Sequence, residues 1–233
     1  EGEQVNIYGN HVGSWNFAAT AYLNRWKVKI YYEHYFDDHS QMFFQYGRWK
    51  DGHIGLEITF PKNRFIDTFV YEGLGTKDQT GPMLYDSFWG EFEEQISAKD
   101  NYYNHYLYQG WQHWGMGIGN PLLPGPIYNK NGQITFISNR VLAHHIGFCG
   151  SPCQSLSYRM LLSYSRHWGT YDNPLNEIKK QFNSLFEVTY APQQLKGWSF
   201  TVSGAMDRGS LLGNNYGGML VIRKQGIIKS GNK

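Results

Sequence analysis

The sequence predicts an all-β protein, an antiparallel up-and-down transmembrane β-barrel, from its composition, its residue alternation and the lengths of its connections. Aromatic residues make up 17% of the 233 residues and glycine occurs 27 times, whereas charged residues stay at 17%. Aromatic side chains favour strands and glycine favours turns, so this composition is typical of a β-rich chain. We expect residues 1–233 to form a single β-barrel domain.

Apolar and polar residues alternate in the first predicted hairpin. The alternating segment 14–23 is followed by a second one that starts at Trp26, with only Asn24 and Arg25 between them. Successive side chains of a strand point to opposite faces, so each segment has one apolar and one polar face. Two such segments joined by two residues predict a hairpin with a tight turn.

The same pattern recurs three more times and ends in a last strand. The predicted segments are 54–60 with 65–74, 139–149 with 156–164, 182–190 with 198–202, and finally 216–224. They bring the prediction to nine strands, or eleven if 75–138 contains a further pair. Either number is odd, whereas bacterial single-chain barrels usually have an even number of strands. We therefore expect this chain to be the C-terminal portion of a larger barrel, with its N-terminal strands missing, unless residues 1–12 form one more crossing.

Short turns alternate with long connections along the chain. Long connections are expected at about 35–52, 75–138 and 167–181, with a shorter Gly/Asn-rich one at 208–215. Transmembrane barrels have short periplasmic turns and longer extracellular loops, and strands of about 9 to 11 residues suit a tilted crossing. This pattern favours a membrane barrel over a soluble sandwich.

Charge and hydropathy argue against two other classes of protein. The formal net charge is only +2 and no long Lys/Arg run would follow a phosphate backbone, so we expect no nucleic-acid partner. No stretch approaches the roughly 18 apolar residues that a transmembrane helix needs. A barrel strand faces lipid only at every second residue, so a modest hydropathy is compatible with membrane insertion.

The two cysteines, Cys149 and Cys153, flank Gly150-Ser151-Pro152, which is predicted to form a tight turn. Cysteines paired across a hairpin can form a disulfide in an oxidising compartment. Two free thiols would give the same sequence pattern, so both alternatives stay open. A metal site would need further ligands nearby.

Eight segments in a fixed order carry a family resemblance across nearly the whole chain. They are YYEHYFDD (31–38), GLEITFPKNRFI (55–66), VYEGLGTKDQTGP (70–82), YYNHYLYQGW (102–111), IGNPLLPGPIYN (118–129), NRVLAHHIG (139–147), LLSYSRHWGTYDNP (161–174) and DRGSLLGNNYG (207–217). Through these segments the sequence resembles the capsule-assembly Wzi family of outer-membrane proteins.

The resemblance implies a large outer-membrane barrel that helps to retain capsular or other surface polysaccharide at the cell surface, as a lectin-like anchor without catalysis. Outer-membrane lipids including lipopolysaccharide are expected partners, and polysaccharide export machinery is a further one. No catalytic residue, cofactor or metal is expected. Two alternatives stay open: an outer-membrane porin or channel, and a soluble β-rich glycoside hydrolase or glycan-binding module.

The segment 102–114 is the first candidate for polysaccharide binding, because it is dense in aromatic residues. Aromatic faces stack on the apolar faces of sugars, while amide groups offer paired donors and acceptors. The candidate residues here are Tyr103, His105, Tyr108, Gln109 and Trp111. The alternative is a structural role, either in an aromatic girdle at the membrane interface or in packing at the barrel mouth.

A second candidate group lies where two predicted strands leave the membrane. It consists of Arg166, His167, Trp168 and Arg208. Cationic groups there can contact acidic sugars, or lipopolysaccharide phosphates outside the barrel. The favoured alternative is an internal ladder of ion pairs in the lumen. Its acidic members would be Glu33, Glu57, Glu72 and Glu187.

Two other groups of residues give weaker indications of a functional site. His144 and His145 are adjacent in a predicted strand, so their side chains point to opposite faces and cannot share a metal ion. Glu91 and Glu93 lie on one face of an extended segment and could be offered as glycosidase carboxylates, but an acidic loop flank is the favoured interpretation.

Overall fold

A computed structural model of the chain describes residues 13–36, 51–63, 65–85, 96–99, 101–104 and 110–226, with 80–85 and 96–99 described by their backbone alone. The strands are β1 (Gly13–Leu23), β2 (Trp26–Phe36), β3 (Gly52–Thr59), β4 (Thr68–Gly75), β5 (Thr80–Tyr85), β6 (Ile96–Lys99), β7 (Gln112–His113), β8 (Met116–Gly117), β9 (Val141–Cys153), β10 (Leu156–Gly169), β11 (Pro174–Tyr190), β12 (Trp198–Gly209) and β13 (Asn215–Lys224). A short 3₁₀ turn covers Pro126–Tyr128.

Nine of these strands form one antiparallel sheet, in the order β1-β2-β3-β4-β9-β10-β11-β12-β13. The prediction of an all-β chain with nine such strands is confirmed. Strands β5 and β6 pair with each other in a small separate sheet, and so do β7 and β8, so 75–138 adds no strand to the large one. Within the described residues, β1 and β13 are the two edges of the large sheet. None of the described helices is long and apolar enough to cross a membrane.

The first hairpin forms as the sequence predicts. Leu23 lies opposite Trp26 in the register of β1 and β2, which leaves Asn24 and Arg25 as the turn. Asn24 has a φ of 57°. Asparagine tolerates this left-handed conformation better than most residues, and tight hairpin turns require it.

The register puts alternate residues on two faces of different chemistry. The apolar face carries Trp15, Phe17, Leu23, Trp26, Ile30, Ile54, Leu56, Ile58, Phe69, Tyr71, Ile146, Phe148, Tyr158, Met160, Leu162, Tyr164, Phe182, Phe186, Val188, Tyr190, Phe200, Val202, Met206, Tyr216, Leu220 and Ile222. The polar face carries Lys27, Lys29, Glu33, His53, Glu57, Glu72, His145, Arg159, Ser163, Asn183, Glu187, Thr189, Thr201, Ser203 and Asp207. The predicted alternation is thus realised over most of the sheet, although the polar face also carries Val70, Leu161, Leu185 and Met219.

The connections between strands lie at two ends of the sheet. At the turn end they are 24–25, 60–67, 154–155 and 191–197, and at the loop end they are 37–51, 76–140, 170–173 and 210–214. Only 37–51 and 76–140 are long. The other two loop-end connections, 170–173 and 210–214, are shorter than 60–67 and 191–197 at the turn end. The predicted sorting of loop lengths therefore holds only for the two long connections.

The predicted long connection at 167–181 is wrong. Strand β10 continues to Gly169 and β11 starts at Pro174, so four residues, 170–173, join them. Thr170 and Asn173 close this turn, since Asn173 N–H donates to Thr170 Oγ1 at 2.9 Å. The polar and charged composition of 167–181 resembles a loop, but the backbone groups continue to pair with the neighbouring strand.

The tight turn predicted at Gly150-Ser151-Pro152 is also wrong, and of the two alternatives left open for the cysteines the structure has the free thiols. These residues lie within β9, and the turn falls at 154–155. Cys149 and Cys153 are free thiols. Four residues of extended strand separate Cα atoms by about 13 Å, whereas a disulfide needs at most about 7 Å. Strand β9 extends this far because Asp67 anchors it, with Asp67 N–H donating to Cys149 O at 2.8 Å and Ser151 Oγ donating to Asp67 Oδ2 at 2.8 Å.

Strand β4 begins three residues later than predicted, because Asn63 holds the preceding turn. Its side-chain oxygen accepts from the N–H groups of Phe65 at 2.8 Å and Ile66 at 2.9 Å. Its amide nitrogen donates to Pro61 O at 2.9 Å and to Ile66 O at 2.7 Å. This is the local competition with strand pairing that asparagine offers.

We predict that Asn63→Ala lowers the free energy of unfolding by about 1 kcal/mol, because it removes several exposed hydrogen bonds of the turn at once. Equilibrium urea unfolding measures the change. Asn176→Ala is the matched control, since Asn176 is exposed and makes no side-chain hydrogen bond within the described part of the chain. Equal effects of the two substitutions would contradict the role given to Asn63.

Candidate functional site

The described parts of the long connection, 76–79, 101–104 and 110–140, fold back onto the polar face at the loop end; we call them the loop cap. Leu123 of the loop cap is buried against Leu74, Val141 and Ala143 of the sheet. Leu122, Tyr103 and the strand residue Tyr35 pack around this cluster. A buried apolar cluster therefore joins the cap to the sheet.

A buried carboxylate ties the start of β3 to the loop cap. Asp51 accepts hydrogen bonds from Asp78 N–H at 3.0 Å, from Gln79 N–H at 2.5 Å and from Tyr102 Oη at 3.2 Å. Burial raises the pKa of Asp51 to about 6, while these backbone hydrogen bonds act in the opposite direction. Asp51 is thus a charged anchor at neutral pH, held by donors from two segments of the cap.

Asn139 is a second buried anchor of the loop cap. Its backbone oxygen accepts from Thr76 Oγ1 at 2.7 Å and from Gln79 Nε2 at 2.8 Å. Its side-chain nitrogen donates to Asn101 Oδ1 at 2.6 Å and to Tyr102 O at 2.8 Å. Asn139 therefore holds together the beginning, the middle and the end of the long connection.

A two-way amide contact fixes the segment that the sequence predicts to bind sugar. Asn104 Nδ2 donates to Phe136 O at 2.8 Å, and Phe136 N–H donates to Asn104 Oδ1 at 2.8 Å. The rings of Tyr103 and Phe136 lie 5.1 Å apart, and Phe136 is fully buried. Tyr103 consequently belongs to the packing of the loop cap.

The small hairpin of β7 and β8 carries an exposed indole at its tip. Trp114 and Gly115 form the turn, with φ angles of 54° and 79°. Gly115 N–H donates to Gln112 Oε1 at 2.6 Å, and Gly115 O accepts from Ile127 N–H at 2.9 Å. The turn is thus held from both sides, while 83% of Trp114 is exposed.

One further ring lies against Trp114, and another residue with an exposed ring follows a residue bonded to this turn. The ring of His113 meets that of Trp114 edge on, at 6.2 Å and 86°. Tyr128 follows Ile127, which bonds to the hairpin turn, and Tyr128 is exposed as well. His113, Trp114 and Tyr128 form what we call the aromatic tip. Its exposed rings, on a held backbone, suit stacking against the apolar faces of sugars.

Those predicted sugar-binding residues that the structure describes are not part of the aromatic tip. Tyr103 and Trp111 are half-buried in the loop cap, and Trp111 O accepts from Ile118 N–H at 3.0 Å at the base of the hairpin. His105, Tyr108 and Gln109 lie outside the described residues, as do Glu91 and Glu93. Trp114 lies in the predicted segment but is not among its candidate residues. Tyr128 was missed, and no local pattern indicates it.

The polar face carries a ladder of paired charges. Lys27 lies 3.7 Å from Glu57, and Arg159 lies 3.3 Å from Glu187. His53 lies 3.5 Å from both Glu33 and Glu72, and Tyr31 Oη donates to Glu72. Ser203 Oγ donates to Glu187 at 3.1 Å.

The four predicted acidic residues thus do form a ladder, but not with the predicted cations. Arg166 and Arg208 lie on the opposite, apolar face at the loop end. The guanidinium of Arg166 lies 5.4 Å from the Trp168 ring centre. His167 is buried on the polar side, 2.9 Å from Ser165 Oγ. Register decides this, because a position one residue further along a strand changes the face.

His144 and His145 point to opposite faces, as predicted. His144 Nδ1 lies 2.8 Å from Tyr71 Oη on the apolar face, and His145 Nδ1 lies 2.7 Å from Ser163 Oγ on the polar face. Over the described ranges, no three His, Cys, Asp or Glu residues are grouped so that they could hold a metal ion.

No family model matches this chain, and neither a curated protein nor a solved structure does. Function must therefore be inferred from features of the molecule itself. These features are the exposed apolar face, the paired charges of the polar face, the loop cap with its aromatic tip, and the basic residues at the loop end.

We predict that the loop cap becomes less stable as the pH rises from about 4 to about 6. The folded pKa of Asp51 lies above its usual value of 3.8, so the folded state binds the proton more tightly and loses stability as Asp51 ionises, with no further loss above that range. Hydrogen exchange of the Asp78 and Gln79 amides should therefore become faster in the wild type, relative to Asp51→Asn, across this interval. Asp172→Asn, at an exposed turn position, serves as control. A wild-type to variant ratio independent of pH would contradict this assignment.

Proposed function

We propose that this chain forms part of the wall of an outer-membrane β-barrel that holds capsular or other surface polysaccharide at the cell surface, without catalysing a reaction. One observation carries the proposal. One predominantly apolar face extends across nine paired strands, and large members of it are exposed from Leu23 on β1 to Ile222 on β13.

Exposure of this face to water would be unfavourable. Val202 is 61% exposed and Leu220 is 65% exposed, and each belongs to a row of apolar neighbours that spans adjacent strands. Apolar surface costs about 25 cal/mol per Å² when left in water, and soluble monomers rarely expose patches beyond a few hundred Å². Lipid removes this cost over the entire face, and the strands are long enough for tilted crossings.

The polar face of the sheet also supports the proposal of a barrel wall. Its carboxylates are paired with Lys27, His53 and Arg159, as expected of side chains that face a polar barrel interior. A barrel wall also requires partners for both sheet edges, because unpaired backbone groups are costly in lipid. Strands β1 and β13 would find these partners in each other or in further strands.

The loop cap and its aromatic tip support the carbohydrate part of the proposal. Extracellular loops of barrels are longer than periplasmic turns, so the loop end is the proposed outer end. Trp114 and Tyr128 are exposed there, and the segment resemblance to capsule-assembly Wzi proteins favours polysaccharide as the ligand. The proposed contact is stacking of sugar rings on these aromatic faces.

We predict that Leu220→Arg impairs assembly into the outer membrane and that Met219→Arg does not. The two neighbours on β13 are 65% and 56% exposed, so a soluble sheet would tolerate both substitutions alike. In a barrel wall, Leu220 faces lipid, where an arginine near the midplane costs about 2–4 kcal/mol, while Met219 faces the interior.

The measurement is the amount of full-length protein recovered in the detergent-solubilised outer-membrane fraction. Equal recovery of both variants would argue against lipid contact. Recovery of the wild-type protein in a fraction that needs no detergent would overturn the membrane proposal itself.

We predict that Trp114→Ala reduces polysaccharide retention several-fold, since stacking against an aromatic ring is worth about 0.5–1.5 kcal/mol. The measurement is cell-bound polysaccharide, normalised to assembled protein. Trp198→Ala is the matched control, because Trp198 is an exposed tryptophan at the turn end. Retention that falls equally in both variants, or in neither, would contradict a binding role for the aromatic tip.

A further inference from the structure

Three basic side chains lie together on the apolar face at the loop end. Arg166 of β10 lies directly opposite Lys180 of β11. Lys180 in turn exchanges hydrogen bonds with Ser210, two residues beyond Arg208. Arg208 lies opposite Phe182, two residues along β11 from Lys180. Directly opposed residues are about 5 Å apart and diagonal ones about 7–8 Å, so the three charges can converge on one small group. We call them the basic row.

The basic row has no compensating acid. None of its three members lies within ion-pair distance of a carboxylate in the described residues, and Asp207 next to Arg208 points to the polar face, where it accepts from Asn183 at 2.7 Å. Like charges directly opposite each other destabilise a sheet. This arrangement contrasts with the polar face, where each carboxylate of the ladder has a partner, and it fits an anion that comes from outside the chain.

A groove begins directly beside the basic row, toward the middle of the sheet. Its volume is about 290 Å³, and its lining on the apolar face consists of Met160, Ser184, Phe186, Gly204, Met206 and Tyr216. Gly204 lies opposite Gly218 on one side and Phe186 on the other. Because two glycines meet, the floor lacks side chains, while Phe186, Met206 and Tyr216 form apolar walls.

The basic row and the groove lie one after the other along β12. Arg208, Met206 and Gly204 are successive residues of the same face, each step about 7 Å along the strand. A ligand that fits both features has an anionic head at the loop end and an apolar tail toward the middle of the sheet. Guanidinium and ammonium groups are the usual partners of phosphate.

We propose that this part of the apolar face is a binding site for a phosphate-bearing membrane lipid, with the phosphate on Arg166, Lys180 and Arg208 and an acyl chain in the groove over Gly204. The inference rests on the proposed insertion of the sheet in a membrane, which it deepens by naming one lipid contact. The sequence indicates Arg166 and Arg208 as cationic candidates, whereas Lys180 and the groove follow from the register of β10, β11 and β12.

The first test concerns the charges. Full-length protein in detergent micelles is titrated with bisphosphorylated lipid A, with the same lipid after removal of its phosphates, and with inorganic phosphate, and complexes are counted by native mass spectrometry. We expect the bisphosphorylated lipid to bind best, and Arg166→Gln/Lys180→Gln/Arg208→Gln to weaken its binding at least about tenfold. Arg223→Gln on the polar face is the charge control.

The second test concerns the groove. A Cβ at Gly204 would meet no atom within 4 Å, so Gly204→Leu fits the sheet and fills the groove. We expect it to weaken lipid binding several-fold while the sheet stays intact, as judged by circular dichroism. Ala19→Leu, on the same face of the edge strand β1, is the control for added apolar volume.

The outcomes separate this site from the proposed function. Equal binding of phosphorylated and dephosphorylated lipid, or no loss in the triple variant, would overturn the site while leaving membrane insertion standing. Inorganic phosphate that binds as well as the lipid, together with an unaffected Gly204→Leu variant, would remove the acyl chain from the proposal and so overturn it. Wild-type protein that stays soluble without detergent and does not bind lipid vesicles would instead contradict the proposed function.

Discussion

The register shared by the nine strands from β1 to β13 is the constraint on which the rest of this structure depends, because side chains alternate between faces along every strand. It shifts locally at the two ends of β10, between Leu156 and Tyr158 and between His167 and Gly169. A shift of one residue in any strand would carry its apolar side chains to the charged face and its charges to the apolar face. Hydrogen bonds alone do not select the register. The selection comes from nine strands that must agree on one face, so that Ile146 continues the row from Tyr71 to Leu162 while His145 meets Ser163.

Charged side chains are arranged differently in two parts of the sheet. On the polar face, carboxylates lie against histidine, lysine and arginine at 3.3 to 3.7 Å, which offsets part of their desolvation. At the loop end of the apolar face, Arg166, Lys180 and Arg208 lie together without an acid. On the polar face, each carboxylate of the ladder is thus paired with a group of the same chain. The basic row fits a negatively charged ligand, and its position at the end of an apolar groove relates that ligand to the proposed lipid environment.

The loop cap is held by contacts of its own, which do not follow from the pairing of the sheet. Asp51 and Asn139 bind backbone and side-chain groups from segments far apart in sequence, and Phe136 and Leu123 supply a buried apolar centre. These contacts leave the hairpin that carries Trp114 held at its base and exposed at its tip. A ring presented on a held backbone loses little freedom when a sugar stacks on it, which suits the proposed binding role.

The sequence by itself determined the strands, the two faces and the tight turn at Asn24, because a period of two and a left-handed turn residue are local properties. It failed where local composition and pairing disagree: 167–181 resembles a loop and Gly150-Ser151-Pro152 resembles a turn, yet backbone pairing with a neighbouring strand extends through both. Only the tertiary structure decided which residues meet across strands and loops. Asp51 with Gln79, Glu72 with His53, and Arg166 with Lys180 are distant in sequence, and their contacts follow from register and from the folding of the long connection.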